Sequence, residues 1–297
     1  MKRFRKVKKD QRTLQTTDKL CALTVALILV VVGLCGCTVA DGDFDIKCAF
    51  LDAGQGDASL IMTSDGYNVM IDTGAPGSTD KVISSLLSYK VDRIDLLILT
   101  HHHEDHVAGT VEILERFEVK ELWCLDGSDS YVNRSIEEAA KDNNTALCLA
   151  DKGESMTLGE SVVLNVEVLC AYAEGEADND NENSLIIRAS YLDFVALYMA
   201  DAGHKTEEYL LDNGFDISCD VLKVGHHGSD SSSSEDFIKA ADPQVAIISC
   251  EKNNVFGHPH KKTLDMLKGC CEYIAYTYNG NFEVLVKGTQ ISFEKKN

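Results

Sequence analysis

The sequence predicts an α+β fold in which two β-sheets pack face to face and helices cover both outer faces, a four-layer αββα sandwich. Short apolar runs with strand character occur in both halves of the 297-residue chain, interleaved with amphipathic helical stretches. Clusters of His and Asp follow several of these runs directly, as one groove at the ends of the strands would require. A hydrophobic content of 44% with only 3 prolines indicates a packed core with little linker.

The first half begins with strands and then alternates helices with strands. Strands are predicted where apolar residues cluster between turn residues, and helices where apolar side chains share one helical face, as at Val82, Ile83, Leu86 and Leu87. The predicted strands are Ile46–Leu51, Ala58–Met62, Tyr67–Ile71, Ile94–Leu99 and Lys120–Leu125. The predicted helices are Thr79–Tyr89, Ala108–Phe117 and Asn133–Asp142.

The second half repeats this theme without repeating the sequence. The predicted strands are Ser161–Leu169, Ser184–Ser190, Phe194–Met199, Asp220–Val224 and Gln244–Ser249, with final strands reaching Ile291. Helices are predicted at Lys205–Asn213, at Glu235–Ala241 and after Pro259. Two strand-rich halves of this kind suit two stacked sheets.

A cluster of metal-ligand side chains directly follows one predicted strand. After the apolar run Leu96–Leu99 the chain continues Thr-His-His-His-Glu-Asp-His, which ends at His106. His101 and His103 are two residues apart and point the same way in an extended loop, while Asp105 and His106 reach a second point nearby. Four such groups from one loop suit a pair of divalent cations about 3.5–4 Å apart. The pattern predicts a metal site.

This His-x-His-x-Asp-His pattern resembles the signature of the metallo-β-lactamase superfamily. The resemblance implies the αββα metallo-β-lactamase fold and a metal-dependent hydrolase that holds one or two ions of Zn²⁺ or Mn²⁺. It also implies that Asp201, at the end of a predicted strand, bridges the two metals. By the same resemblance His226 is the second-site ligand, and His227 is a supporting or substrate-facing group. Asp72 would orient the ligand loops through hydrogen bonds.

A finer resemblance is to the metallo-β-lactamase-like domain of ComEC-type competence proteins, the channel components of DNA uptake. Its motifs occur here in the family's order, at Phe50–Ala58, Asn183–Ile187, Leu222–Ser229 and Gly257–Pro259. The sequence departs from that group at Ala200, where the group usually has Gly, and it does not include the multi-span channel. The resemblance therefore concerns the domain type rather than DNA transport.

The first metal site is expected to be the weaker one. Well-characterised metallo-β-lactamases supply a third His there, yet the sequence has no His between His106 and Asp201. Asn183 lies in that region and could offer a carbonyl oxygen or contact substrate. The tighter site is predicted to be the one formed by Asp105, His106, Asp201 and His226.

Two further residues are candidates for a role near the leaving group. His258 and Lys223 could serve as acid or electrophile, although a Lys in a strand before a glycine turn is equally consistent with a structural ion pair. The predicted catalytic set is Asp105, Asn183, Lys223, His227 and His258.

The amino terminus is predicted to be a separate segment, with residues 1–40 a signal peptide or membrane anchor and residues 45–297 the hydrolase domain. Basic residues up to Lys19 precede an apolar run from Leu20 to about Cys35. Leu34–Cys37 resembles a lipoprotein cleavage box with Cys37 as the lipidated residue. If the apolar run is continued through Ala40, its length is close to the ~20 residues that an uncleaved membrane-spanning anchor needs. Both alternatives export the rest of the chain to the outer face of the bacterial cytoplasmic membrane.

Charge restricts the classes of partner. The net charge is −20, and residues 1–36 hold eight basic and two acidic side chains, so the remainder carries −26. Such a surface disfavours broad, non-specific binding to nucleic acid or anionic lipid. A polyanion must then be held locally by the metals.

These features favour a membrane-attached, extracytoplasmic phosphodiesterase or nuclease, with a phosphodiester or other small anionic substrate, possible DNA and no evident protein partner. An alternative function is a hydrolase with the same fold and metal site whose substrate is a small ester, amide or lactam. A non-catalytic envelope protein that keeps the fold for binding is the third reading.

Overall fold

The computed structural model describes residues 44–125, 131–170 and 181–296. Its strands, in chain order, are β1 (Ile46–Phe50), β2 (Ser59–Thr63), β3 (Asn68–Ile71), β4 (Arg93–Ile98), β5 (Glu118–Cys124), β6 (Ala146–Leu149), β7 (Ser155–Leu158), β8 (Leu164–Cys170), β9 (Ile186–Tyr191), β10 (Phe194–Tyr198), β11 (Val221–Lys223), β12 (Val245–Ile248), β13 (Tyr273–Tyr276), β14 (Phe282–Lys287) and β15 (Gln290–Lys295). The α-helices are α1 (Thr79–Ser88), α2 (Glu104–Val107), α3 (Thr110–Arg116), α4 (Tyr131–Asp142), α5 (His204–Asp212), α6 (Glu235–Ala241) and α7 (Lys261–Cys270).

The strands form two mixed sheets. The first has the order β15-β14-β1-β2-β3-β4-β5-β6, and the second has the order β13-β12-β11-β10-β9-β8-β7. Strands β3 to β6 run parallel to one another, and so do strands β10 to β13. Since parallel strands end at the same edge of a sheet, the loops after β3 and β4 lie together, as do those after β10 and β11.

Three apolar clusters show how the layers are stacked. The central cluster joins side chains of both sheets, such as Phe50 and Trp123 from the first and Tyr198 from the second. A second cluster packs helices α1, α3 and α4 on the outer face of the first sheet. A third packs α5, α6 and α7 on the outer face of the second sheet. The predicted four-layer αββα sandwich is confirmed.

The element boundaries differ from the prediction mainly at the sheet edges. Strands β6 and β7 were not predicted, and β8 begins at Leu164 rather than Ser161. Both strands lie at the edges of their sheets, and most of their residues are exposed. Each is only four residues long; β7 mixes polar and apolar residues, whereas β6 is a short apolar run that was not recognised as a strand. The predicted ligand loop also contains one helical turn, α2.

The predicted amino-terminal segment, residues 1–40, lies outside the described residues. Within the described part of the chain, no helix combines the length and apolar character that crossing a membrane demands.

Candidate metal centre

The centre is built from loops that leave both sheets. The loop after β4 supplies His101 and His103, and α2 supplies Asp105 and His106. The loop after β10 supplies Asp201. The loop after β11 folds into a 3-10 turn, Gly225–Gly228, that carries His226 and His227. The two sheets therefore contribute opposite walls of one site.

One group of ligand-type atoms surrounds the first oxygen of Asp201. Its Oδ1 lies 3.2 Å from His106 Nε2 and 3.4 Å from His227 Nε2. The same nitrogen of His227 lies 3.2 Å from Asp105 Oδ2. These four side chains place ligand atoms within 4.8 Å of one another. We call them the second-site cluster.

A second group surrounds the other oxygen of Asp201. Its Oδ2 lies 3.9 Å from His101 Nε2, which in turn lies 3.2 Å from His103 Nδ1. His226 Nε2 approaches the same Oδ2 at 3.8 Å. We call His101, His103 and Asp201 the first-site cluster. Asp201 thus faces both clusters, one with each oxygen.

The spacing of these atoms fits a divalent cation. Ligands about 2.0–2.2 Å from a tetrahedral ion stand about 3.3–3.6 Å apart, which lies within the range of separations seen here. His106 Nε2 and Asp201 Oδ1 are both buried and have no hydrogen-bond partner among the described residues. These two atoms lie 3.2 Å from each other, a separation that two ligands of one divalent cation would also have, and buried polar atoms without a hydrogen bond are uncommon.

His226 and His227 lie at positions opposite to those expected from sequence. His227, not His226, converges with Asp105, His106 and Asp201, while His226 lies beside the oxygen that faces His101. Both residues adopt left-handed backbone conformations, with φ of 47° and 54°. This tight turn directs adjacent side chains to different sides of Asp201. Metal binding by either remains a prediction.

The side chain of Asp72 holds the first loop in place. Its Oδ2 lies 2.8 Å from His106 Nδ1, so the opposite ring nitrogen points at Asp201. Its carboxylate also accepts hydrogen bonds from the backbone and hydroxyl of Thr100, at 2.9 Å each. A carboxylate that orients a ligating imidazole is the usual outer support of such sites. Asp72 thus has the contacts expected of an orienting residue.

Lys223, predicted as a catalytic residue, forms a buried ion pair next to the site. Its ammonium is buried and lies 2.6 Å from Asp57 Oδ2. Asp57 Oδ1 lies 3.4 Å from His227 Nδ1, which also donates to the Ser249 carbonyl at 2.9 Å. These contacts leave His227 Nε2 facing the centre. The structure therefore matches the ion-pair alternative for Lys223, and sequence reasoning missed Asp57 and Ser249.

The loop that carries Asp201 turns sharply before it. Ala200 has φ of 46°, in the left-handed region that favours glycine, which accounts for the glycine that ComEC-type domains usually have here. The Asn-Ser-Leu motif supports this turn, because Ser184 Oγ accepts a hydrogen bond from the Asp201 backbone at 3.3 Å. Leu185 donates to the Thr100 carbonyl at 2.8 Å and so links the two ligand loops.

Asn183 and His258 lie around the centre rather than within the two clusters. Asn183 Oδ1 is buried without a hydrogen-bond partner among the described residues, whereas the nearby Asn181 contacts His226 Nε2 at 3.3 Å. The ring of His258 lies 5.7 Å from that of His226 and 6.3 Å from that of His227. Burial, with His227 next in effect, lowers the pKa of His258 to about 4, so without metal it is neutral at pH 7.

Electrostatics in the centre suit cation binding. Burial, followed by nearby His106, holds the pKa of His101 well below its usual value, so its imidazole is neutral. Burial would raise the pKa of Asp201, but His227 and His106 hold it well below the usual range. A neutral imidazole and an ionised carboxylate are the forms that ligate divalent ions. Burial would lower the pKa of His106, but the nearby carboxylates of Asp201 and Asp72 raise it well above its usual value. These carboxylates supply negative charge that a bound cation can offset.

Comparisons with known proteins show which family the sequence matches. Residues 51–143 match the metallo-β-lactamase superfamily. The chain is 29% identical over 279 residues to ComE operon protein 3 of Bacillus subtilis, which covers 88% of this chain and 34% of that protein. It is 30% identical over 226 residues to competence protein ComA of Neisseria gonorrhoeae, which covers 70% of this chain and 27% of that protein. The chain thus spans about a third of the length of these relatives.

A solved structure shares the fold at low sequence identity. CmlA, a diiron β-hydroxylase from Streptomyces venezuelae, superposes with a TM-score of 0.52 at 13% identity, over 85% of this chain and 54% of that chain. This likeness concerns the fold alone. The matched family model and the sequence relatives identify the chain as a member of the metallo-β-lactamase superfamily that is similar to ComEC-type competence proteins.

Proposed function

We propose that this protein is a metal-dependent phosphodiesterase or nuclease that acts outside the cytoplasmic membrane. The observation that carries the proposal is the bridging position of Asp201, whose two oxygens face separate His-containing clusters. Two adjacent sites of this kind suit hydrolysis in which attacking and leaving oxygens are both stabilised. Similarity to competence proteins favours a phosphodiester as the bond that is cleaved.

The ligands divide between two ions. Asp105, His106 and His227 would hold the second ion and His101 and His103 the first, with Asp201 shared between them. His226 would complete the first site in place of the third His that the sequence lacks, because its Nε2 lies 3.8 Å from Asp201 Oδ2. Zn²⁺ and Mn²⁺ both accept such ligands. When bound, the ions would lower the pKa of a water molecule and stabilise negative charge on the substrate.

The surrounding residues would hold this arrangement and receive the substrate. Asp72 and Asp57 contact the Nδ1 atoms of His106 and His227, which leaves the Nε2 atoms of both rings available to bind an ion before substrate arrives. Neutral His258, at the rim, can accept a hydrogen bond from a substrate hydroxyl. Two divalent ions against Asp105 and Asp201 leave the centre with a net positive charge, which attracts a phosphodiester to an otherwise acidic protein.

Purified full-length protein in detergent provides the test. It is assayed with Zn²⁺ or Mn²⁺ on single-stranded DNA, bis-p-nitrophenyl phosphate and a chromogenic lactam, beside Asp201→Asn and His106→Ala variants. We expect cleavage of both phosphodiesters by the wild type and loss of at least a hundredfold in the variants. Turnover of the lactam alone would overturn the proposal in favour of a small-substrate hydrolase. Absence of metal from the wild type would overturn any hydrolase.

We also propose that residues 1–40 attach the protein to the membrane. The basic start and the apolar run of nearly bilayer-spanning length support this, with Cys37 as the lipidated residue or the run as an uncleaved helix. Metabolic labelling with a radioactive fatty acid separates the two. If the wild type is labelled and Cys37→Ala abolishes the label, the protein is a lipoprotein. If the wild type stays unlabelled and full-length in the membrane, the uncleaved anchor is supported. Recovery of the unmodified chain in the soluble fraction would overturn both.

A further inference from the structure

An exposed apolar pair stands beside the metal centre. In the loop between β12 and α7, the side chain of Val255 is 93% exposed and that of Phe256 is 61% exposed. Single exposed apolar side chains are common and need no explanation. Two consecutive ones at the rim of a reactive centre present an apolar surface of the kind that binds ligands.

The loop is held rigidly in this position. The Asn254 side chain donates to the carbonyls of Glu251 and His258, and its oxygen accepts from the backbone of Phe256 and His258. At one end, the Glu251 backbone donates to Gln55 Oε1 at 3.0 Å. At the other, the His260 backbone donates to the carbonyl of Gly228, in the turn that carries His227. The apolar pair is therefore fixed relative to the candidate ligands.

Phe256 ends a series of nearly parallel rings that leads out of the centre. The ring of His227 lies 6.3 Å from that of His258, at an interplanar angle of 26°. The ring of His258 lies 5.7 Å from that of Phe256, at 25°. Since Phe256 remains largely exposed, one further planar group can stack on it without any movement of the protein.

The charge of the protein favours an apolar contact with a polymeric substrate over a broad ionic one. Lys223, the cation next to the candidate ligands, is buried against Asp57 and cannot reach a phosphate. The chain outside residues 1–36 carries a net charge of −26. Such a charge disfavours a broad basic groove as the main source of affinity for a nucleic acid, and stacking of bases on an aromatic ring is a source that does not depend on charge.

We propose that Phe256, flanked by Val255, is a stacking platform for a nucleobase next to the scissile phosphodiester of a single-stranded substrate. The proposal rests on the phosphodiesterase function above. It makes Phe256 a specificity-determining residue that binds the base, while the ligands of the two clusters act on the phosphate. A base inside a duplex is not free to stack in this way, so single strands are favoured.

The test compares a short oligothymidylate with an oligomer of the same length that contains abasic tetrahydrofuran residues. Both carry the same phosphates, but only one can stack. We expect full-length wild type to cleave the base-bearing oligomer with a kcat/KM about tenfold higher, mainly through KM. In Phe256→Ala and Phe256→Leu this preference is expected to fall to about twofold or less, whereas Phe256→Tyr retains it.

A matched control is Leu192→Ala, which removes a 66% exposed apolar side chain in the turn between β9 and β10. It is expected to keep the wild-type preference. Equal preference in wild type and Phe256→Ala, with cleavage intact, would overturn the platform while leaving the phosphodiesterase proposal standing. Failure of the wild type to cleave either oligomer or bis-p-nitrophenyl phosphate would overturn both.

Discussion

At the scale of single residues, one turn of the candidate centre directs two neighbouring histidines to different oxygens of Asp201. His226 and His227 are adjacent, yet their Nε2 atoms approach different oxygens of Asp201, at 3.8 and 3.4 Å. The positive φ of both residues produces this divergence. Such a conformation costs an L-residue about 1–3 kcal/mol, and strain of this size is typical of functional sites, where surrounding contacts enforce it.

This division of roles predicts different metal contents for the two alanine variants. In an Asp105→Asn background, where the second site is impaired, His226→Ala is expected to weaken binding of the remaining ion at least tenfold because it removes a first-site ligand. His227→Ala in the same background is expected to change that affinity little. Titration with Zn²⁺ against a chromogenic chelator measures both. A larger loss of Zn²⁺ affinity in His227→Ala than in His226→Ala would support the assignment made from sequence, with His226 as the second-site ligand.

The ion pair behind the centre gives a prediction about stability. Lys223 and Asp57 are both buried, so Lys223→Met leaves an uncompensated carboxylate and should lower the free energy of unfolding by about 3–5 kcal/mol. The control, Lys81→Met, breaks the largely exposed pair with Asp52 and should cost about 0–1 kcal/mol. Urea denaturation of the metal-free proteins compares them. Equal losses would show that the buried pair has no special structural role.

Contacts between residues close together in the chain could be predicted from the sequence, whereas contacts between distant segments could not. His101 to His106 come from one short loop, so their spacing alone predicted that they converge. Asp57 and Ser249 reach His227 only because distant strands end side by side, and no local pattern contains that information. The positions of His226 and His227 relative to Asp201 depend on backbone dihedral angles that two consecutive histidines in a sequence do not reveal.

At the scale of elements, burial decided which strands could be predicted. Central strands such as β1, β2 and β10 are buried along their whole length and appear in the sequence as apolar runs. The edge strands β6 and β7 are held by backbone pairing to one neighbour each, and their side chains are mostly exposed. Backbone pairing leaves little trace in the polar and apolar pattern of β7, and β6, although apolar, is only four residues long, so neither edge strand was predicted.

A turn that joins the two sheets is expected to make stability dependent on pH. Asp65, in the β2–β3 turn, accepts hydrogen bonds from the backbone of Glu160, Ser161 and Val162, in the β7–β8 turn. Burial opposes ionisation, but these bonds and the one from Thr63 hold the pKa of Asp65 well below its usual range. Its contribution is therefore present above about pH 4, the unfolded value, and is lost as the pH falls through the folded pKa.

Asp65→Asn is accordingly expected to reduce the free energy of unfolding by about 1–3 kcal/mol at pH 7, since it weakens charge-assisted hydrogen bonds. The difference from wild type should shrink as the pH falls from about 5 to about 2.5. Urea unfolding across that range measures it. Asp193→Asn, in the exposed β9–β10 turn, is the control and should show little difference at any pH. A difference that stays constant with pH would show that the Asp65 carboxylate is not the source of the effect.

At the scale of the whole molecule, an acidic protein carries a candidate metal centre that, in the proposed function, binds an anionic substrate through its cations. The chain has a net charge of −20 and a pI near 4.7. Long-range attraction of polyanions is therefore weak, and the phosphates next to the metals must provide most of the ionic contact. The protein would select its substrate by local fit rather than by electrostatic steering.

This charge distribution predicts a shallow salt dependence for any cleavage of nucleic acid. Each phosphate that protein cations neutralise contributes about −0.7 to the slope of log K against log salt concentration for single strands, so a few contacts give a slope no steeper than about −2. Measurement of KM for oligothymidylate across a potassium acetate series at fixed, saturating metal tests this. Turnover of bis-p-nitrophenyl phosphate in the same series corrects for salt effects on the centre itself. A corrected slope steeper than about −4 would require a basic track that neutralises six or more phosphates, and the acidic surface would then not govern substrate binding.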